Sequence, residues 1–312
     1  MNLTPENQLK LYGLGNQLEL LYNLYIKKIL PSKILLSGQK GIGKCTLAYH
    51  LINLILSEDE EYAYDMDNFK INENNRSYKL ITNKSHQNFS LIELSPEKKT
   101  IDINQIRELI FNLNKSNFNS KPRLVLIDNI DFLNVSSINA LLKILEEPNE
   151  NIFFILIHNN KKILSTLKSR CLEFKVSLSK DESIQISNNI FDEDINELIN
   201  NELLNYYITP GNIYNLIKFL KKNELDPKKT TLNDIIFKII DQNIFKKEAS
   251  LKYIIYDLLE FFLTSKKSLE DIIFYNQFMK KIDNMRKYNL DEESLFMEIK
   301  FQFIDAPKSR NS

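Results

Sequence analysis

The feature that most constrains the fold of this chain is a series of short apolar runs, each separated from the next by a longer segment. Runs of this length and composition are typical of β-strands that are buried on both faces. In chain order they are KILLS (33–37), SLIEL (90–94), RLVLI (123–127), FFILI (153–157) and LEFKV (172–176). Because helical patterns lie between these runs, the sequence predicts a five-stranded, mostly parallel sheet with helices on both faces.

Two of the intervening segments have apolar residues at i, i+3, i+4 and i+7, the spacing of one face of a helix. The stripes are Ile106, Leu109, Ile110 and Leu113 in the first segment, and Ile138, Leu141, Leu142 and Leu145 in the second. For the second helix, Ser136 or Ser137 is the predicted N-cap, and Pro148 is predicted to end the helix after Glu147.

The strand pattern stops after Val176, and helical patterns follow over 181–205, over 211–222 and from Leu232 onward. The predicted fold class is therefore α/β followed by all-α. A length of 312 residues suits two or three domains. A charged segment that contains a proline, residues 221–229, is the predicted linker between the helical parts.

One stretch of the α/β part, residues 57–89, is polar, rich in asparagine and too long for an ordinary connection. We predict an inserted loop there, partly disordered. The predicted domains are an α/β domain that contains this insert, a small helical domain and a larger helical domain, at 1–178, 179–222 and 223–312 respectively.

Charge balance and cysteine count limit the partners and the environment of the chain. Lys and Arg total 41, as do Asp and Glu, so no net field draws the whole protein onto nucleic acid or an anionic membrane. Contacts with DNA are expected to be local or shared with partners. The two cysteines, Cys45 and Cys171, do not form a disulfide framework. The sequence shows neither a signal-like N-terminus nor an apolar run of about 18 residues. We expect a reduced, cytoplasmic protein with no membrane contact.

A phosphate loop follows the first predicted strand and precedes a helical stretch, which is the context that such loops require. Its sequence is GQKGIGK, from Gly38 to Lys44. Backbone N–H groups around Gly38, Gly41 and Gly43 are predicted to turn toward phosphate oxygens, with Lys44 as a cation for the terminal phosphates. A tight turn before a helix is the alternative.

The next residues depart from the pattern that supports hydrolysis. Cys45 stands where Ser or Thr normally binds Mg²⁺, and Mg²⁺ prefers oxygen ligands to a thiol. Thr46 is a poor substitute, because one further step along a helix turns the side chain by about 100°. We expect weak binding of ATP or ADP and no firmly held Mg²⁺.

Polar residues end the third and fourth predicted strands. Asp128 is placed to hold Mg²⁺ through water, but the residue after it is Asn129, whose neutral amide cannot act as a general base. Asp131 lies beyond the strand end, and we interpret it as a solvated or capping acid. His158 and Asn159 can reach the region of the terminal phosphate, unless they are simply a loop pair at a strand end.

Four segments are specific in combination: GQKGIGKCTLA (38–48), TIDINQIREL (100–109), NALLKILEEP (139–148) and STLKSRC (165–171). Together they resemble the bacterial DNA polymerase III delta-prime family, whose members are clamp-loader subunits of the AAA+ class. The resemblance covers most of residues 8–215. It implies an AAA+ sheet domain, a lid domain at 179–222 and a collar domain at 223–312 through which loader subunits associate. It also makes Asn159 a better match than His158 to the polar sensor of the family.

The same resemblance gives Ser169 and Arg170, in the sequence Ser-Arg-Cys, their expected role. In such loaders this arginine projects to the γ-phosphate of ATP bound by a neighbouring subunit, and its planar, permanently charged guanidinium suits that task. Arg170 is therefore the expected catalytic finger in trans, preceded by Ser169. A surface arginine before a strand is the alternative.

Two common features of the class are missing. Many family members carry a four-cysteine zinc module, but this chain has only two cysteines and three histidines, so we expect no zinc and no other metal site. Active AAA+ proteins place a sensor arginine in the lid, and none occurs between Thr209 and Leu220.

The leading interpretation is a delta-prime subunit of the DNA polymerase III holoenzyme that is not an active ATPase alone. It would supply Arg170 to a neighbour while the assembly loads a sliding clamp onto primed DNA in replication. The expected partners are delta and gamma or tau subunits, with clamp and DNA reached through the assembly. A hydrolysing, gamma/tau-like loader, in which Thr46 and Asp131 compensate, is the first alternative. A stand-alone P-loop kinase is the second.

Overall fold

The computed structural model describes residues 3–95, 98, 100–115, 119–147, 151–159, 165–204 and 209–242, together with 273, 276–281, 293–299 and 301. The chain divides into two compact units, residues 1–189 with 209–211, and residues 190–208 with 212–312. The first unit contains the sheet, and the second is helical over its described residues. Most of the predicted collar at 223–312 lies outside the described residues. Within the described ranges, no helix is both long and apolar enough to cross a membrane.

A five-stranded parallel sheet forms the centre of the first unit, in the order β2–β3–β4–β1–β5. Its strands are β1 (Lys33–Ser37), β2 (Phe89–Ile92), β3 (Arg123–Ile127), β4 (Ile152–His158) and β5 (Leu172–Lys175). The bounds of β1 and β3 are those predicted, and the others differ by one or two residues. The predicted α/β fold with a parallel sheet is confirmed.

The central strands are buried on both faces because successive side chains of a strand point to opposite sides. In β3, Leu124 and Leu126 belong to one apolar cluster, and Val125 and Ile127 belong to the other. The edge strand β5 is different, since Leu172 is 52% exposed. The prediction that this run is buried on both faces is wrong, because β5 is an edge strand that pairs only with β1 among the described residues.

Helices cover both faces of the sheet. In the first unit they are α1 (Gly15–Ile26), α2 (Lys44–Leu56), α3 (Arg76–Thr82), α4 (Ile103–Leu113), α5 (Val135–Glu146), α6 (Ser165–Lys168) and most of α7 (Lys180–Phe191). The other helices among the described residues are α8 (Ile195–Leu198), α9 (Asn201–Leu204), α10 (Pro210–Lys222), α11 (Leu232–Asp241) and one over Glu293–Ile299. Residues of α1, α2 and α3 pack in one apolar cluster, and those of α4 and α5 pack in the other.

Helix α5 begins earlier than predicted. Its N-cap is Asn134, whose side-chain oxygen accepts a bond from the N–H of Ser137 at 2.8 Å. The hydroxyl of Ser137 instead donates to the carbonyl of Ile101 at 2.9 Å. Neither Ser136 nor Ser137 is therefore the cap, because an asparagine just upstream satisfies the free N–H first.

The stretch 57–89 is not a plain inserted loop, because it contains α3. Asn75 is fully buried and caps this helix by accepting from the N–H of Tyr78 at 2.6 Å. Its amide donates to the carbonyl of Tyr62 at 2.7 Å and receives a bond from Asn53 at 3.0 Å. An asparagine-rich composition predicted a loop here, but this asparagine joins α2 to α3.

The segment 181–205 is not one continuous helix. Helix α7 ends at Phe191, Asp192 has a positive φ of 57°, and Asp194 caps the next helix by accepting from the N–H of Asn196 at 3.0 Å. Short acidic residues compete with helical hydrogen bonds in this way, which the apolar pattern alone does not reveal.

Candidate functional site

The phosphate loop connects β1 to α2, as predicted. Gly41 and Gly43 have φ values of 85° and 91°, a region that side chains with a Cβ rarely adopt. Gly43 is also the residue that precedes the first turn of α2. The positive φ values explain why glycine occupies these two positions. The loop leads directly into the N-terminus of α2.

Lys44 is 3% exposed, and its ammonium is engaged by the loop itself. Its Nζ donates to the carbonyl of Gly38 at 2.8 Å and to that of Gln39 at 2.6 Å. Burial lowers the pKa of Lys44 to about 8, against the opposing attraction of Asp128 and Asp131. Lys44 therefore fastens the first half of the loop and lies within electrostatic reach of both carboxylates.

A second segment of the same unit, Thr209–Gly211, fastens the tip of the loop. The hydroxyl of Thr209 donates to the carbonyl of Lys40 at 3.0 Å, and the N–H of Gly211 donates to the carbonyl of Gly41 at 2.8 Å. A Cβ added to Gly211 would lie only 2.8 Å from the Cα of Gly41. The carbonyls of Lys40 and Gly41 therefore accept hydrogen bonds from this segment.

Cys45 and Asp128 influence each other's ionisation. Burial, together with the nearby charge of Glu93, raises the pKa of Asp128 to about 6. Interactions with the thiol of Cys45 and with the N–H of Asn129 favour the charged carboxylate of Asp128 and lower its pKa, but they are outweighed by burial. Burial also raises the pKa of the Cys45 thiol, with the charge of Asp128 adding to the effect. The thiol therefore stays protonated at neutral pH.

This pair does not fit a magnesium ion. A thiol binds metals as the thiolate, and Mg²⁺ prefers oxygen ligands in any case. Thr46 follows Cys45 in the first turn of α2 and is half-buried. Across the part of the chain that the structure describes, no group of three His, Cys, Asp or Glu side chains is arranged to hold a metal ion.

Asp131 ties the turn after β3 to the end of β4. Its Oδ1 lies 3.0 Å from Nδ1 of His158, and its Oδ2 accepts from the N–H of Asn159 at 3.0 Å. The side chains of Asp131 and His158 are 5% and 6% exposed. The side-chain amide of Asn159 in turn donates to Oδ1 of Asn129.

Our interpretation of Asp131 as a solvated or capping acid is therefore wrong. A 3₁₀ turn over Ile130–Phe132, entered through Asn129 with φ of 58°, returns the Asp131 side chain toward the strand ends. The sequence holds a signal of this, namely two aspartates three residues apart directly after a buried strand. In the structure the side chains of Asn129 and Asn159 are hydrogen-bonded to each other. Asp131 holds the N–H of Asn159 in place and contacts His158.

Arg170 lies in the turn between α6 and β5. Its Nε donates to Oε1 of Glu146 at 3.0 Å, and NH2 contacts the same oxygen. NH1 donates to the carbonyl of Thr166 at 2.7 Å and lies 3.4 Å from Oγ of Ser169. The Arg170 side chain is 30% exposed. Sequence reasoning did not identify Glu146 or Thr166, because no spacing rule relates the end of α5 to this turn.

The family model described as DNA polymerase III, delta subunit, matches residues 14–180. This chain belongs to that family. The matched range holds the phosphate loop, the strand ends with Asp128 and Asn159, and the turn with Arg170. The predicted resemblance to the DNA polymerase III delta-prime family is confirmed by this match and by the relatives.

Among these relatives, DNA polymerase III subunit delta' of Buchnera aphidicola subsp. Schizaphis graminum is 25% identical over 84% of this chain and 82% of its own length. The delta' subunit of Pseudomonas aeruginosa is 31% identical over 45% of this chain and 41% of its own. The gamma subunit of the same Buchnera is 30% identical over 63% of this chain and 54% of its own. The chain therefore spans about half the length of two of these three relatives.

A solved structure gives independent support for the fold of the family. The DNA polymerase III gamma subunit-related protein of Thermotoga maritima superposes with a TM-score of 0.57 at 20% identity, covering 91% of this chain and 97% of that one. At this level of identity the likeness concerns the fold alone, and it agrees with the predicted AAA+ architecture.

Proposed function

We propose that this chain is a delta-prime-type clamp-loader subunit that hydrolyses little ATP alone and supplies Arg170 to ATP held by a neighbouring subunit. The observation that carries the proposal is a combination of two features. A partly exposed arginine stands in the Ser-Arg-Cys turn, while two positions that serve hydrolysis, one after the phosphate loop and one after β3, hold Cys45 and Asn129.

The contacts of the loop support weak nucleotide binding without turnover. Lys44 is bound by loop carbonyls, and Cys45 carries a thiol that interacts with Asp128 and offers no oxygen to Mg²⁺. Asn129 carries an amide that bonds to Asn159, and an amide has no proton-accepting role near neutral pH. The residues therefore do not fit Mg²⁺-dependent hydrolysis, although ATP or ADP can still be a weak ligand.

The environment of Arg170 supports a role toward another subunit. The side chain is anchored at the surface of this chain rather than buried beside its own phosphate loop residues. A guanidinium presents several N–H donors in one plane, which matches phosphate oxygens. Arginine fingers in phosphoryl transfer are worth about 10³ to 10⁵ in rate.

The proposed partners follow from the family. We propose association with delta and gamma or tau subunits in the cytoplasm, through a collar at 223–312, with a lid at 179–222 next to the sheet domain at 1–178. The sliding clamp and primed DNA would be reached through the assembly, because the chain has no net charge of its own to attract DNA.

A hydrolysing loader subunit is the second candidate, since the Buchnera gamma subunit is 30% identical over 63% of this chain. Under that reading Asp131 would replace the missing general base. Its two oxygens are, however, already bound to His158 and to the N–H of Asn159. The family match also weighs against a stand-alone kinase.

The test is ATP turnover by the purified chain, and then by the chain reconstituted with loader partners, clamp and primed DNA. We expect negligible turnover alone, and in the assembly we expect Arg170→Ala to reduce turnover at the adjoining site by about 10³ or more. Lys168→Ala is the matched control, because Lys168 ends α6 and is 53% exposed in an ion pair with Glu173. Wild-type turnover by an Arg170→Ala assembly would reject the finger. Turnover by the isolated chain that Lys44→Ala abolishes would favour the second candidate.

A further inference from the structure

Glu146 is the residue through which this chain holds the Arg170 side chain. It is the last residue of α5, 24 positions before the arginine, and one carboxylate oxygen receives both Nε and NH2. The carbonyl of Thr166 receives NH1 from another side. A guanidinium has five N–H donors, so this arrangement leaves donor capacity on the terminal nitrogens.

The stability of the fold does not explain this pairing. A carboxylate at the C-terminal end of a helix is disfavoured by the helix dipole. Glu146 is 55% exposed and Arg170 is 30% exposed, and ion pairs at such exposed positions contribute little to folding. What the pair does change is the freedom of Arg170, whose long side chain otherwise samples many rotamers.

We propose that Glu146 is a positioning residue for Arg170. Its carboxylate accepts hydrogen bonds from Nε and NH2, and the carbonyl of Thr166 accepts one from NH1. The remaining N–H donors of the guanidinium are then available to the terminal phosphate of a nucleotide on a neighbouring subunit. Glu146 itself touches no nucleotide. This role rests on the proposed function above. In it, Glu146 orders the Arg170 side chain before the subunits assemble.

The test uses the reconstituted assembly with Glu146→Ala and Glu146→Gln. Without the Glu146 carboxylate, the Arg170 side chain must lose its rotamer freedom at each turnover. We therefore expect kcat to fall on the order of tenfold for Glu146→Ala. The KM for ATP and the melting temperature of the isolated chain stay unchanged. Glu146→Gln, whose amide oxygen can accept the same bonds, is expected to retain more activity. Glu108→Ala is the matched control, since Glu108 is an exposed glutamate on α4.

A double-variant cycle separates positioning from other roles. In an Arg170→Ala background, Glu146→Ala should cause no further loss, because residues that act as a unit are not additive. Unchanged or increased kcat for Glu146→Ala would overturn the proposal, and so would an equal loss in both backgrounds. Wild-type kcat for Arg170→Ala alone would overturn the proposed function itself, and the positioning role with it.

Discussion

Asp128 is a single residue at which burial and charge both oppose ionisation. Burial and the charge of Glu93 raise its pKa to about 6, above the value of about 3.9 in an unfolded chain. The folded state therefore binds this proton more tightly than the unfolded state. The resulting contribution to stability is complete below about pH 4 and is lost as the pH rises to about 6.

We predict that Asp128→Asn raises the free energy of unfolding at pH 7.5, by up to about 3 kcal/mol. The amide keeps an oxygen for the Cys45 thiol and removes the buried charge. The gain should shrink toward pH 4, where the wild-type carboxyl is also neutral. Urea unfolding of both proteins across this pH range measures it.

Asp59→Asn is the control for this experiment, because the Asp59 side chain is 83% exposed. Its effect should stay within about 0.5 kcal/mol at every pH. A lower stability of Asp128→Asn at pH 7.5 would contradict the prediction. It would mean that the attraction of Lys44 for the carboxylate outweighs the effect of burial.

The residues of the site differ in how far the sequence could predict them. Cys45 and Asn129 could be identified because each occupies a fixed place in a motif. For Asp131 the spacing of the two aspartates is a signal, but its contacts could not be predicted, because they depend on a backbone turn entered through a positive φ at Asn129. Glu146 could not either, since its contact with Arg170 exists only after α5 and α6 pack on the same sheet.

The start of α10 is in contact with the phosphate loop. At an ordinary exposed position of a helix, Gly→Ala stabilises by about 1 kcal/mol, because alanine is the better helix former. At Gly211 the added methyl group would lie 2.8 Å from Cα and 2.9 Å from the carbonyl oxygen of Gly41, both backbone atoms. We predict that Gly211→Ala destabilises the protein, by about 1–3 kcal/mol.

Urea unfolding compares Gly211→Ala with Lys221→Ala, an exposed position in the last turn of the same helix. The control should change the free energy of unfolding by no more than about 0.5 kcal/mol. A stabilised Gly211→Ala would contradict the prediction, because it would show that the segment can leave the loop without loss.

Elements were predicted best where burial alone decides them. Strands β1 and β3 are buried runs between polar residues, and their bounds were predicted correctly. Edge strand β5 and the start of α5 were less accurate, because pairing on one side and capping by Asn134 are set by neighbours. The helix inside 57–89 was missed, since its cap Asn75 is an asparagine buried by tertiary contacts.

At the scale of the whole molecule, the chain has the AAA+ fold, with a thiol at Cys45 and an amide at Asn129. Sheet order, phosphate loop and strand-end polar residues are all present. The departures at Cys45 and Asn129 concern side chains, and the order of strand, loop and helix around them is kept. A scaffold of this kind can still present an arginine at a fixed place, which is what the proposed function requires.

Charge provides a prediction for the isolated whole chain. Sequence-independent DNA binding arises mainly from Lys and Arg that neutralise phosphates, and it weakens steeply with salt. Here 41 basic residues are balanced by 41 acidic ones. We predict a Kd for primed DNA weaker than about 10⁻⁴ M, with little dependence on salt between about 50 and 200 mM. Fluorescence anisotropy with labelled DNA measures this, and the reconstituted assembly is the positive control. Micromolar binding by the chain alone, lost with added salt, would contradict the prediction and reveal a local basic surface that the net charge conceals.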